Sequence, residues 1–223
     1  QAIIFALKQL GAERVIGVSA AGSLRADIRP GDLAVARQFV DATRGRPHTF
    51  FGQGIAGHIG FAKPVCPVLA NAVYQAARDL DINVHEDNVL RVMEGPAFST
   101  LAESQENRQS GRVHLIGMTS LPEAKLAREA ELCFVTLALV TDFDCWHEGE
   151  ADVTAELVTV RLARNVSKAV EVIRRLAQTI PAERNCGCGT ALDTAVVTDR
   201  ACIPERFRIG DLAPIFGRAL SAK

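Results

Sequence analysis

The sequence predicts an α/β fold, and three observations carry that prediction. Short runs of apolar and β-branched residues alternate with segments whose apolar side chains recur at helical spacing. The richest run, from Cys133 to Thr141, contains no charge, as expected of a strand buried on both faces. A chain of 223 residues, 48% of them hydrophobic, is also long and apolar enough for one large domain with its own core. Such alternation argues for a largely parallel sheet covered by helices on both faces.

Taken in order, residues 2–10 show helical spacing at Ile3, Ile4, Phe5, Leu7 and Leu10, and Gly11 ends the pattern as a C-cap residue does. Arg14 to Val18 reads as a buried strand running into the small residues 19–23, which read as a turn. Small residues let backbone N–H groups approach an anion, and Ser19 adds a hydroxyl. After a Pro30-Gly31-Asp32 turn, Leu33 to Asp41 reads as a strand. Residues 43–63 form a long polar loop with His48, His58, Phe50, Phe51 and Phe61. Loops of that length are often functional. Pro67 to Leu80 is helical, and Val89 to Met93 is a strand broken by Gly95-Pro96.

Phe98 follows that break, where an aromatic ring either plugs the core or stacks on a flat ligand. Ser99 or Thr100 caps the next helix, with Glu103 at the capping-box position, so Glu103 is explained by helix chemistry. Val113 to Met118 is a strand, and Thr119 or Ser120 is placed to cap a helix from Pro122 to Ala130. A helix N-terminus just beyond a strand suits an anion. Residues 154–179 keep one apolar face through Leu157, Val158, Leu162, Val166, Val170, Ile173 and Leu176. From Pro181 the pattern degrades, and residues 181–223 read as an irregular C-terminal extension to a domain spanning 1–180.

Asp142 and Asp144 close the buried run at Cys133–Thr141. Two anions at the end of such a strand are costly unless paired. Open α/β sheets bind ligands beyond the carboxyl ends of their strands. Either one Asp caps the next helix while the other is solvated, or both face a ligand that donates hydrogen bonds, such as a ring bearing an amino group.

Composition excludes several classes. A net charge of −1 gives no basic field for nucleic acid, and no apolar run approaches membrane-spanning length. The cysteines, at 66, 133, 145, 186, 188 and 202, are too dispersed for a secreted disulfide framework, so the expected compartment is the cytoplasm. Cys186 and Cys188 have no further ligand near them in sequence, and His48 and His58 lack ligand spacing, so no metal is expected. The sequence opens on Gln1 without an initiator Met and already in helical register, so a preceding element is expected to be missing.

Several motifs, in this order, resemble the purine nucleoside phosphorylase family and specifically its 5′-methylthioadenosine phosphorylase branch. They are residues 19–25 with Pro30-Gly31-Asp32, His58 with residues 64–67, residues 93–99 with 102–104, residues 116–119 with 121–123, and residues 141–146. The last is the most discriminating, because the 6-oxopurine branch carries Asn where Asp142 stands. The resemblance implies a three-layer α/β fold with a central mixed sheet, a homotrimer, and a pentosyltransferase that splits methylthioadenosine with phosphate. Inorganic phosphate is then a co-substrate, and no metal or organic cofactor is implied. It further implies that Ser19, the backbone at Ala20 and Thr119 hold phosphate; that Met118 lies under the ribose; that Ile116 and Phe98 contact the nucleoside; and that Asp142 faces N7 of adenine and Asp144 its 6-amino group. Val153, Ala155 and Val158 line an alkylthio pocket, and His58 arrives from a neighbouring subunit.

The family's opening strand, its Gly-rich phosphate loop and its Arg-His-Gly segment have no counterpart here, which implies N-terminal truncation. Ala97 stands where Arg is common, and Thr159 where an apolar residue is frequent. Three alternatives stay open: a 6-oxopurine phosphorylase, a hydrolytic nucleosidase with Glu94 as its base, and an inactive scaffold.

Overall fold

The computed structural model describes residues 1–148 and 153–221. Five strands alternate with helices in the order α1 (Ala2–Gln9), β1 (Arg14–Ser23), β2 (Leu33–Ala42), α2 (Pro67–Arg78), β3 (Val84–Met93), α3 (Leu101–Gln109), β4 (Leu115–Gly117), α4 (Glu123–Glu129), β5 (Cys133–Asp142), α5 (Ala155–Thr179) and α6 (Ala213–Ser221). The sheet is mixed. β1–β5, β2–β3 and β3–β4 are parallel, while β1–β4 and β2–β5 are antiparallel. It closes on itself as a five-stranded barrel in the order β1-β4-β3-β2-β5, where the alternation of elements had suggested an open and largely parallel sheet. Closure leaves the sheet no free edge.

β5 is the axis of the molecule, with all ten of its residues buried. Alternate side chains serve two cores, as the period of a strand dictates. Phe134, Ala138 and Val140 face a cluster shared with α1, α4 and α6. Cys133, Val135, Leu137 and Leu139 face one shared with α2 and α5. Helix α5 lies against β5 with Val172 and Leu176 buried, and its buried Asn165 donates to the Val140 carbonyl at 2.9 Å.

Several elements differ from the sequence reading. β1 continues through residues 19–23, read as a turn, because the small side chains there permit close strand pairing with β5 and then with β4. β3 starts at Val84, and β4 is only three residues long. Neither Thr119 nor Ser120 caps α4, whose first turn begins at Glu123 after Pro122 and has no side-chain cap. Thr100 and Glu103 do form the reciprocal capping box of α3.

The C-terminal segment contains three short 3-10 turns (Gly187–Thr190, Arg200–Cys202 and Glu205–Phe207) and α6. Phe207, Ile215, Phe216 and Leu220 join the same core as β5. Arg218 pairs with the buried Glu131 and, at 2.7 Å, with Asp193.

Candidate active site

β1 gains a second partner, β4, at its C-terminal end while still paired with β5, and a cavity of about 370 Å³ opens there. Up to Val140, β5 pairs with β1 in regular register. A bulge at Ala21/Gly22 then sets Gly22 opposite Asp142. A Cβ on Gly22 would sit 2.6 Å from Asp142 Oδ1, so only glycine admits the carboxylate here.

Both aspartates line this cavity and both are buried. Neither caps a helix; the next one, α5, is capped by Thr154. The strand ends at Asp142, and Asp144 takes a left-handed conformation (φ 52°) that an Asp tolerates. Asp142 is held at both oxygens. Thr141 Oγ1 donates to Oδ2 at 2.7 Å, and the Asp144 N–H donates to Oδ1 at 2.8 Å. Asp144 Oδ2, in contrast, is buried with no hydrogen-bond partner among the described residues. Burial pushes its carboxyl above the ordinary range, and the Asp142 charge adds to the effect. The two acids are therefore unequal: one accepts a hydrogen bond at each oxygen, the other has a raised pKa and an oxygen free for a ligand.

The residues that follow fix this turn. Trp146 Nε1 donates to the Ser23 carbonyl at 2.7 Å, and the Arg108 guanidinium covers its ring at 3.5 Å. Phe143 packs edge-on against Trp146. Trp146 thus ties the acidic turn to the end of β1 and to α3.

Along the same cavity lie Ser19, Ala20, Met118, Thr119, Ile116 and Phe98. The hydroxyls of Ser19 and Thr119 hydrogen-bond to each other. Ser19 precedes Gly22 by three strand residues, which places hydroxyls and acids roughly 10 Å apart. Met118 lies against Gly95, whose φ of 70° suits glycine and where a Cβ would meet Met118 Sδ at 2.6 Å. Phe98 is 41% exposed, so it does not plug the core.

A family description, the phosphorylase superfamily, matches residues 1–178. The chain belongs to this superfamily. It is 48% identical over 205 residues to the S-methyl-5′-thioadenosine phosphorylase of Geobacter sulfurreducens, an alignment covering 92% of this chain and 71% of that protein. Among solved structures, it superposes on a methylthioadenosine phosphorylase from an antarctic soil metagenomic library. That match has a TM-score of 0.88 and 40% identity over 96% of this chain and 75% of the other. It also superposes on the Schistosoma mansoni methylthioadenosine phosphorylase in complex with adenine, with a TM-score of 0.77 and 33% identity over 81% and 70% of the two chains.

Within this phosphorylase fold, ten of the expected site residues line one cavity: Ser19, Ala20, Phe98, Ile116, Met118, Thr119, Asp142, Asp144, Val153 and Val158. Two do not. Ala155 opens α5 as an exposed residue outside the lining. His58 borders a separate hollow with His48, Phe61, Lys125 and Glu129.

Val18, Gly22, Met93 and Thr141 also line the cavity; Val18 had read only as a strand residue, and the other three stood in the motifs without a role of their own. Arg46 was missed as well, having no signal beyond being a cation in a long loop. Its guanidinium donates to the carbonyls of Met118, Leu121 and Glu94 at 2.9, 2.7 and 2.8 Å, clamping the ends of β3 and β4. Glu94 itself accepts from the Arg44 N–H at 2.7 Å and pairs with Arg46, outside the cavity lining.

Proposed function

We propose that this protein is a pentosyltransferase that cleaves 5′-methylthioadenosine with inorganic phosphate, releasing adenine and 5-methylthioribose 1-phosphate for purine and methionine salvage. The observation that carries this reading is the pairing, in one cavity, of two facing hydroxyls with two unequal buried acids. The membership of the chain and its 48% identity to a protein of that name support it.

The chemistry follows from where charge develops. Cleaving the N-glycosidic bond builds positive charge on the ribose and negative charge on the departing purine. Phosphate held by Ser19, the Ala20 backbone and Thr119 lies on the sugar side and stabilises the first. At the purine, the acid pair supplies one proton and accepts from the 6-amino group. Asp142 serves N7 and Asp144 the amino group. A 6-amino group donates to a carboxyl oxygen, whereas a 6-oxo group presents only lone pairs. Met118 and Ile116 lie along the sugar, Phe98 covers the base, and Val153 and Val158, with Ala155, take the alkylthio group.

We read residues 1–180 as the catalytic unit and 181–223 as an extension packed on it. We also infer a homotrimer in which His58 of one subunit completes the site of the next. That role is consistent with its place outside its own cavity. Among the described residues no helix is long and apolar enough to cross a membrane. We expect a cytoplasmic setting, as the dispersed spacing of the six cysteines suggests. A hydrolytic route is not favoured, because Glu94 is occupied by two arginines.

The deciding experiment measures adenine release from methylthioadenosine with and without phosphate, and compares inosine. Phosphate-dependent release with preference for the 6-amino substrate is expected. Equal rates without phosphate would end the phosphorylase reading.

A further inference from the structure

Four cysteines that the cavity does not use meet in space. The Sγ atoms of Cys66, Cys133, Cys186 and Cys188 all lie within 4.8 Å of one another. Their sequence positions conceal this: Cys186 and Cys188 flank one glycine, and the other two lie 53 and 120 residues before Cys186. The fold assembles them from three directions. Cys133 is the first residue of β5. Cys66 closes the long loop and caps α2, and its N–H donates to the Phe134 carbonyl at 2.9 Å, which fixes it beside Cys133. Cys186 and Cys188 stand at the 3-10 turn Gly187–Thr190. Three of the four are buried and Cys186 is partly so.

The spacing is that of metal ligands. Cys133 and Cys186 Sγ are 3.4 Å apart, far from the ~2.0 Å of a disulfide. Four thiolates each ~2.3 Å from a tetrahedral zinc lie roughly 3.8 Å from one another. One backbone donor already faces the sulfurs. The Leu69 N–H points at Cys66 Sγ at 3.5 Å. Arg14, paired with Cys133 across the sheet, donates to the carbonyls of Pro181, Ala182 and Glu183. The Arg184 guanidinium lies beside Gly189. Four thiols in a chain with no disulfide read more naturally as a metal site than as an oxidised framework.

We propose that Cys66, Cys133, Cys186 and Cys188 bind one Zn²⁺ in a closed, tetrahedral structural site that fastens the C-terminal segment to the starts of β5 and α2. Binding exchanges thiol protons for the metal, releasing up to four protons to solvent with no change of oxidation state. The fastening reaches the His58 loop. Beyond the site, the Ala195 carbonyl accepts from the His58 N–H at 2.8 Å, and the Val197 N–H donates to Ala56 at 3.0 Å. The zinc stands apart from the cavity and takes no part in glycosidic cleavage.

The test is elemental analysis of the whole protein purified with a thiol reductant and no chelator. About one zinc per chain is expected, and cobalt substitution should give the absorption of tetrahedral cobalt thiolate. The double variant Cys186→Ser/Cys188→Ser should lose the metal, whereas Cys202→Ser, altering an exposed cysteine outside the cluster, should keep it. Stripping the zinc should lower Tm, and re-addition should restore it. Metal-free wild-type protein overturns the proposal, whether its four cysteines are free or mapped by mass spectrometry as disulfides; so does iron in place of zinc. The wild-type and Cys202→Ser counts decide the matter even if the double variant fails to fold.

Discussion

Asp142 and Asp144 are the same residue type two positions apart, yet their surroundings make them chemically different. Asp142 accepts from a hydroxyl and a backbone N–H; Asp144 is desolvated, with one oxygen unpartnered among the described residues. Asp142→Asn is expected to lower turnover of adenine nucleosides and improve inosine, since an amide can donate to a 6-oxo group, and Asp144→Ala should hurt mainly adenine nucleosides. An unpaired buried polar group costs about 1–3 kcal/mol, so the ratio of the two activities should move roughly tenfold to a hundredfold. Steady-state kinetics on both substrates checks this, and an unchanged ratio in folded variants contradicts it. The raised pKa of Asp144 also predicts a stability effect. The native state keeps a proton that the unfolded chain releases. The contribution is complete below the unfolded value of ~3.9 and is lost as pH rises through the folded value. Asp144→Asn cannot ionise, so its Tm should gain on wild type across that window and hold its advantage above it. A parallel pair of Tm–pH curves would contradict the assignment. At the other end of the cavity, Ser19→Ala removes a hydroxyl that meets Thr119. Its effect should fall on the KM for phosphate, by about 1.5–3 kcal/mol in apparent binding, while the KM for nucleoside changes little.

Among the elements, β1 and α3 show how local chemistry is used to place a site. Opposite Ala21/Gly22, β5 carries one extra residue, Thr141, and that bulge brings Asp142 against a residue without a side chain. Helix α3 carries Arg108, which covers Trp146, and so supports the acidic turn from outside. The helix is short and largely polar, with only Ser104 and Asn107 buried, so its stability leans on its cap. Thr100→Ala removes one half of the capping box and is expected to cost about 0.5–2 kcal/mol. Chemical denaturation gives that number. Hydrogen exchange should show the loss concentrated in residues 101–109; protection there equal to wild type would mean that packing, and not the cap, holds the helix.

The barrel and the C-terminal segment act as one body in the whole molecule. Phe207 and Phe216 pack in the same core as β5, and the buried Glu131 just before β5 depends on Arg218 of α6 for its counter-charge. Arg218→Ala leaves that carboxylate with the Leu192 N–H as its remaining donor among the described residues. The expected loss lies near the lower end of ~3–5 kcal/mol, because the guanidinium is already 44% exposed. Equilibrium unfolding checks it, and a loss below ~1 kcal/mol would show the pair to be solvated.

The sequence alone determined the order of the elements from α1 to α5, the buried character of β5, the α3 capping box and, through its motifs, ten of the residues that line the cavity; α6, in a segment read as irregular, it did not. These are properties of short range. Hydrophobic period, cap chemistry and motif spacing are written within a few residues of one another. Tertiary structure decided the rest. The small residues 19–23 became strand instead of turn, because two different partners pair with them. The sheet closed into a barrel, a matter of register between distant strands. Asp144 acquired a raised pKa from burial that no spacing reveals. Arg46 became a clamp only when the ends of β3 and β4 came within its reach. Cys186 and Cys188, without ligand partners nearby in the chain, gained Cys66 and Cys133 because β5 and the start of α2 converge on the C-terminal segment. Coordination and desolvation depend on distance in space, and in a closed barrel that distance bears little relation to separation along the chain.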